Sequence, residues 1–292
     1  MKRICKSLAL LLLVARLLPG PAQAAGTAAV AACFRQDDQF YAFAALDKWP
    51  STLTAELRSE ERSLPVNLGP VSLAGSGLPV SYLLLVDSSA AMKDLRRSAG
   101  SFARALVQED RTQAQFTLFS FDEVFCLSWQ GEAERLAWAV SGLECAQAEQ
   151  ADLALGVQGA LDYLAAFPRR AGELVNLVIV TAAAPEWGNA ALAETAQRLA
   201  EDPSILVHTV SLSPTGVDTA DGFPSPGRGL HADAGPENVK AVGAQLAQSV
   251  NSLCAMRFTW SGQDGGAELC LSWEDTGKQN LDVDMQHAPL LS

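Results

Sequence analysis

The chain has 292 residues, 49% apolar, 7% aromatic and 18% charged, with 22 Gly and 14 Pro. That composition can bury a sizeable core in one large domain or two small ones, and it excludes a disordered or collagen-like chain. The formal charge is −12, and residues 1–24 hold Lys2, Arg3, Lys6 and Arg16 with no acid, so the remainder sets 17 basic residues against 33 acidic ones, a net −16. A surface that acidic is repelled by phosphate backbones and anionic lipid, which argues against nucleic acid as a partner.

Residues 1–24 read as a secretory leader. Met1–Lys6 is cationic, Leu8–Ala15 is an unbroken apolar run, and Pro19–Gly20 breaks it. Ala22-Gln23-Ala24 then presents small residues where a signal peptidase needs them. The run ends at Arg16, short of the ~20 residues of a membrane span, and no other stretch is long and apolar enough. The expectation is a chain cleaved after Ala24, without a transmembrane segment, in an extracytoplasmic compartment (periplasmic or secreted). A competing reading takes Val30-Ala31-Ala32-Cys33 as a lipobox, which would place a lipid anchor on Cys33. That cysteine lies well past the apolar run, with Pro19, Gly20, Pro21 and Gln23 between. Beyond the leader stand Cys33, Cys126, Cys145, Cys254 and Cys270. An odd number leaves one thiol over in an oxidising compartment, whereas lipidation of Cys33 would leave four.

Between 25 and 77, Gln39–Leu46, Thr52–Leu57 and Val66–Leu73 read as short strands broken by Pro50, Pro65, Gly69 and Pro70, and no helix is expected there. The pattern then changes. Val80–Val86 is a continuous apolar run ending at Asp87, as in a strand buried on both faces. Met92, Leu95, Ala99, Phe102, Ala103 and Leu106 recur at helical spacing. Phe116–Phe119 and Val124–Trp129 read as adjacent strands, and Glu132–Val140 as a helix. Leu153, Val157, Ala160, Leu161 and Leu164 mark another helix, stopped by Pro168. Leu174–Thr181 is a second doubly buried strand, Ala191–Ala200 a short helix and Ile205–Leu212 a further strand. A Gly/Pro-rich loop, Ser213–Gly235, precedes a helix through Val239, Val242, Leu246, Val250 and Leu253. Such alternation implies an α/β fold, a mostly parallel sheet with helices on both faces. The tail reads as antiparallel β: Ala255–Trp260 and Ala267–Trp273 as a hairpin, then Leu281–Met285. Ligands of such sheets sit beyond the carboxyl ends of the strands, here the loops Asp87–Ala91, Glu149–Asp152, Thr181–Glu186 and Ser211–Pro214.

At these loops the sequence resembles the von Willebrand factor type A (vWA) family. An apolar strand ending in Asp-x-Ser, then a helix with Met near its start, opens that family, and Val86-Asp87-Ser88-Ser89-Ala90-Ala91-Met92 is similar to it. Val178–Thr181 resembles its fourth strand and Val207–Ser211 its fifth. The resemblance implies a vWA-like (Rossmann-like) domain at 78–253, with the segments 25–77 and 254–292 packing together as a small β element. It also implies a divalent-cation site built from Asp-x-Ser-x-Ser, a Thr and an Asp. Asp87 and Ser89 match the first two positions, but the second Ser is Ala91, the Thr aligns with Ala151 and the last Asp with Ala182. Alanine cannot coordinate a metal. The expectation is therefore no cofactor, with Mg²⁺ held at most weakly through Asp87 and Ser89. Asp152 and Glu186 lie beside the lost positions and offer replacement carboxylates. Asp87, Ser88, Ser89, Asp152 and Glu186 are the candidate ligand-binding residues. A simpler role for Asp87, Ser88 and Ser89 is to accept backbone N–H groups at the start of the following helix.

Cys126 follows the third strand and Cys145 the next helix, so a disulfide between them is expected, closing a loop of about 20 residues. Strand alternation sets Cys254 with Met256 and Phe258 and turns Cys270 away from Leu269 and Leu271. These two are not expected to pair, which leaves Cys33 as the partner of one of them. Of the three histidines, His208, His231 and His287, none is paired at metal-ligand spacing, and His208 on its strand is expected to pack. There is no Gly-x-Ser-x-Gly elbow, phosphate-cradling loop or Cys-x-x-Cys, and Asp37-Asp38 and Glu109-Asp110 read as solvated pairs. The function expected is non-enzymatic binding of a protein partner without metal, the loop 213–235 with Asp218, Asp221, Phe223 and Arg228 forming the contact surface. Two alternatives stand beside it: a metal-dependent adhesin with a rebuilt site, and a structural component of an envelope complex.

Overall fold

A computed structural model describes residues 28–59, 62–64, 66–182, 190–202, 204–212, 229–259, 267–273 and 277–283. The leader, Glu186, His287 and residues 213–228 of the loop, with Asp218, Asp221, Phe223 and Arg228, lie outside the described residues.

In chain order the strands are β1 (Ala28–Gln36), β2 (Gln39–Leu46), β3 (Thr54–Ser59), β4 (Arg62–Leu64) and β5 (Val66–Ser72), then one helical turn α1 (Leu73–Ser76). The α/β part follows as β6 (Val80–Asp87), a 3-10 turn Ala90–Met92, α2 (Arg96–Glu109), β7 (Gln115–Phe121), β8 (Phe125–Gln130) and α3 (Ala133–Ser141). It continues with α4 (Leu153–Ala166), β9 (Leu174–Thr181), α5 (Ala190–Glu201), β10 (Ile205–Ser211), β11 (His231–Asp233) and α6 (Val239–Asn251). The chain closes with β12 (Cys254–Thr259), β13 (Ala267–Trp273) and β14 (Gly277–Val283).

The central sheet has the order β11-β10-β9-β6-β7-β8. All its pairs are parallel except β7–β8. β6 and β9 lie in the middle and are buried on both faces, which is why their sequences are continuous apolar runs rather than alternating ones. On one face Leu84, Val86, Val178 and Val180 pack against Phe102 and Leu106 of α2 and Val242 and Leu246 of α6. On the other, Leu83, Leu85, Leu177 and Ile179 pack against Val157 and Leu161 of α4 and Leu199 of α5.

The two flanks assemble into a β-sandwich. One sheet runs β1-β2-β12-β5 and the other β14-β13-β3-β4, so strands from both ends of the chain pair in each. Phe40, Ala42, Cys254, Met256 and Phe258 of the first sheet face Leu57, Leu64, Leu269 and Leu271 of the second. The opposite face of the first sheet, through Phe34, Tyr41, Phe43 and Ala255, joins the core beneath α6. That sheet is therefore shared between the sandwich and the α/β part.

β1 carries no expectation from the sequence, because, Ala-rich and buried almost throughout, it lacks the two-residue alternation that signals a half-exposed strand. Three expectations are corrected. Residues 255–260 and 267–273 do not form a hairpin, because β12 pairs with β2 and β5 while β13 pairs with β3 and β14. Cys126 and Cys145 are free thiols. Cys126 is exposed on the edge strand β8, whereas the chain at Cys145 is held to the loop leaving β6, where the Ala146 N–H donates to the Ser88 carbonyl at 2.8 Å, with β7 between that loop and β8. Cys254 is likewise a free, buried thiol, its pKa pushed up to about 12 by burial, so it is not the partner of Cys33; β2 separates their two strands.

Candidate functional site

The strand order reverses between β6 and β9, and an open α/β sheet offers its crevice at the carboxyl ends of such a pair. Asp87 ends β6 and is buried. Its Oδ1 accepts the Ser89 N–H at 2.7 Å and its Oδ2 the Ala182 N–H at 3.3 Å, so the carboxylate ties its own loop to the loop leaving β9. Ser88 turns the other way and donates from Oγ to Asp122 Oδ2 at 2.9 Å. Asp122 also accepts the Val124 N–H at 2.9 Å, which stabilises the β7–β8 turn. Ser89 is fully buried, and its Oγ has no hydrogen-bond partner among the described residues.

Asp152 is the N-cap of α4. Its Oδ1 accepts the Leu155 N–H at 3.1 Å, and its own N–H donates to the Asp122 carbonyl at 2.8 Å. The loop before it is joined to the β6 loop by an Ala90 N–H to Ala148 carbonyl bond at 2.8 Å. Backbone hydrogen bonds thus hold the β6, β7 and pre-α4 loops together, the Asp87 carboxylate ties in the β9 loop, and Asp87, Ser88, Ser89 and Asp152 converge on this end of the sheet. Glu186 lies outside the described residues. Asp122 belongs to the same cluster but was missed in the sequence, where Asp122-Glu123 looks like an ordinary polar turn.

A strand ending in Asp-x-Ser at the centre of a sheet ordered β8-β7-β6-β9-β10-β11, with β8 antiparallel at one edge, decides the fold. The fold is vWA-like. No family model and no curated protein matches the sequence. Among solved structures the chain is similar to the proximal thread matrix protein 1 of the mussel byssus with a zinc-occupied MIDAS motif, at 10% identity and a TM-score of 0.47, over 62% of this chain and 47% of that one. It therefore spans less than half of that protein. It is also similar to BatB from Bacteroides thetaiotaomicron, at 14% identity and a TM-score of 0.46, over 59% of this chain and 100% of that one. A von Willebrand factor type A protein from Catenulispora acidiphila is similar at 10% identity and a TM-score of 0.47, over 93% of this chain and 78% of that one.

The vWA-like fold implies a divalent cation beside Asp87, but the donor set does not fit Mg²⁺. The one carboxylate at the matching position already accepts two amide hydrogens, and Ser89 supplies one hydroxyl. Positions 91, 151 and 182 carry methyl groups, while Mg²⁺ demands near-octahedral oxygen coordination. Among the described residues no cluster of three or more His, Cys, Asp or Glu side chains could hold a metal.

The fold does bring two histidines to neighbouring strands. His208, fully buried on β10, accepts the Leu230 N–H at Nδ1 (2.9 Å), which leaves Nε2 protonated to donate to Asn176 Oδ1 at 3.1 Å. Asn176 in turn donates to the Ser81 carbonyl on β6 at 3.3 Å. Burial depresses the His208 pKa to about 3, the neighbouring His231 adding to the effect. Both ring nitrogens are committed to holding β6, β9, β10 and the start of β11 together. A cavity of about 450 Å³ opens at the opposite end of the sheet, beside Leu161, Phe167, Arg198 and Asp202. There Arg169 pairs with Asp202 at 3.1 Å, away from the Asp87 cluster.

Proposed function

We propose that this chain is an exported, non-enzymatic protein-binding module that works without a metal ion. The observation that carries the metal-independent reading is the state of Asp87, whose two oxygens hold the Ser89 and Ala182 amides where the fold's usual site has ligands. The rebuilt-site alternative is disfavoured because Asp152 already caps α4. The non-enzymatic reading draws support from His208, whose ring is buried with both nitrogens engaged. Recognition then rests on the loops at the carboxyl end of the sheet, where irregular backbone on a rigid scaffold suits binding.

Affinity capture from the native envelope, with and without chelator, tests this reading. A protein partner retained in chelator is the expected result; a partner released by chelation overturns it. Deleting the flanks is not a usable control for the assembly-component alternative, because Phe34, Tyr41 and Phe43 share a core with α6. No helix among the described residues is long and apolar enough to cross a membrane.

The mature N-terminus is expected at Ala25. Processing ahead of Cys33 instead would remove Ala28–Ala32, the first half of β1, and would put a lipid on a side chain only 6% exposed, within the sandwich core. N-terminal mass spectrometry of the natively produced protein decides: a diacylglycerol-modified Cys33 contradicts the expectation.

A further inference from the structure

We propose that the cavity between the last turn of α4 and the end of α5 binds a small amphipathic carboxylate, its apolar body against Phe167 and its carboxylate on Arg198. The opening has a cause in the sequence. Proline disfavours helical backbone in the residue before it, and Phe167, ahead of Pro168, is extended at φ −118° and ψ 125°. Helix α4 therefore stops at Ala166, and beside its last turn lies a space of about 450 Å³, within the size range of small-molecule sites (about 300–1,000 Å³). Leu161, Leu164 and Ile205 line it with apolar surface. Phe167 adds an aromatic ring that is 57% exposed and tilted on Tyr163, the ring centroids 4.6 Å apart.

The polar lining selects the head group. Arg169, whose side chain is 9% exposed, pairs with Asp202 Oδ2 at 3.1 Å and donates to Ser204 Oγ. Asp202 Oδ1 accepts the Ser204 N–H at 3.0 Å and the Ser204 hydroxyl, so this carboxylate is fully engaged and its charge is matched by Arg169. Arg198 has no such counter-charge. Among the described residues its one hydrogen bond goes to the neutral Gln158 Oε1, and it is Gln158 that reaches Asp162, at 2.6 Å. The wall thus carries one unmatched guanidinium with most of its five N–H groups unspent. Such a fork takes a carboxylate through two parallel charge-assisted bonds, each roughly twice as strong as a neutral one, whereas an ammonium group is repelled. In a body of net charge near −16, a site for an anion needs a local cation of this kind. The last-turn position of Arg198 in α5 also suits the helix dipole, a purely structural role that the variant below separates from binding. The cavity lies at the opposite end of the sheet from Asp87, so its occupancy is independent of what the carboxyl-end loops bind.

Calorimetric titration of the natively produced protein with phenylbutyrate, phenylbutanol and phenylbutylamine compares three head groups on one apolar body. The carboxylate is expected to saturate at one molecule per chain, the alcohol to bind roughly tenfold or more weakly, and the amine not to bind. Arg198→Gln should weaken the carboxylate by roughly tenfold or more and leave the alcohol unchanged. Ala165→Phe, at an exposed position on the cavity wall, should block both ligands with the circular dichroism unaltered. The head-group comparison needs no variant, so it decides even where a substitution fails to fold. An absence of saturable binding, a carboxylate no tighter than its alcohol or amine, or an Arg198→Gln variant that shifts Tm but not the affinity for phenylbutyrate overturns the proposal.

Discussion

Acidification below pH 6.5 is expected to unfold this protein steeply, and His208 is the main cause. Its pKa falls from 6.5 to about 3 on folding because the ring is buried and neutral. Between those values the unfolded chain binds a proton that the native state does not, so stability rises with pH and is lost as pH falls. The contribution is complete above 6.5 and declines by about 1.4 kcal/mol per pH unit below it, reaching roughly 4–5 kcal/mol at pH 3. The half-buried His231, also depressed by burial, acts with the same sign. Replacing His208 by Leu should cost about 2–4 kcal/mol at neutral pH, since the Asn176 carbonyl oxygen and the Leu230 N–H both lose their partner. The variant should also show a flatter pH dependence. Urea unfolding of parent and variant from pH 7 to pH 4 measures both effects, and parallel pH profiles would exclude His208 as the source.

A methyl group at Gly243 is the second large perturbation. There α6 crosses α2 so closely that a Cβ would lie 2.5 Å from the Phe102 carbonyl oxygen and 3.2 Å from the Ala105 Cβ. Gly→Ala within a helix normally gains about 1 kcal/mol in propensity. Here the obstacle is backbone, which cannot rotate away, and overpacking of this kind costs about 1–3 kcal/mol. The clash should win, since the nearest atom is backbone at 2.5 Å: Gly243→Ala is expected to lose about 1–2 kcal/mol net and Gly243→Leu roughly 3 kcal/mol or more. The damage should spread to the sandwich, because α6 leads through Leu253 into β12, and the Leu253 carbonyl accepts the Leu73 N–H at 2.7 Å. Thermal unfolding checks this; an alanine variant as stable as the parent would mean the helices are not held in contact at Gly243.

The parts of the fold legible in the sequence are those where burial alone determines the pattern. β6 and β9 announce themselves because both faces are covered, and α2 and α6 because one apolar face recurs every three or four residues. β11 was not legible: three residues fix it, held by long-range bonds such as Thr209 N–H to the Leu230 carbonyl and Ala234 N–H to the Ser211 carbonyl. The false hairpin at 255–273 has a related origin, since a turn-rich segment between two strands does not say which sheet each strand joins. In the candidate site the three alanines could be read directly, because a methyl group cannot coordinate whatever its surroundings. Asp122 could not, because its place beside Ser88 depends on the parallel register that sets Asp87 against Phe121. Ser89 shows the same limit: its spacing suggests a helix-start hydrogen bond, yet its Oγ is buried without a partner among the described residues.

Calorimetric titration of the natively produced protein with Mg²⁺ and Mn²⁺ tests the metal-independent reading most directly. The account predicts no saturable heat corresponding to a Kd tighter than the ~mM range of weak sites. It also predicts almost no thermal shift, because cation at a concentration equal to its Kd stabilises by only ~0.4 kcal/mol. A Kd of about micromolar order, abolished in Asp87→Ala but retained when a remote exposed acid is reversed, as in Glu134→Lys, would contradict it.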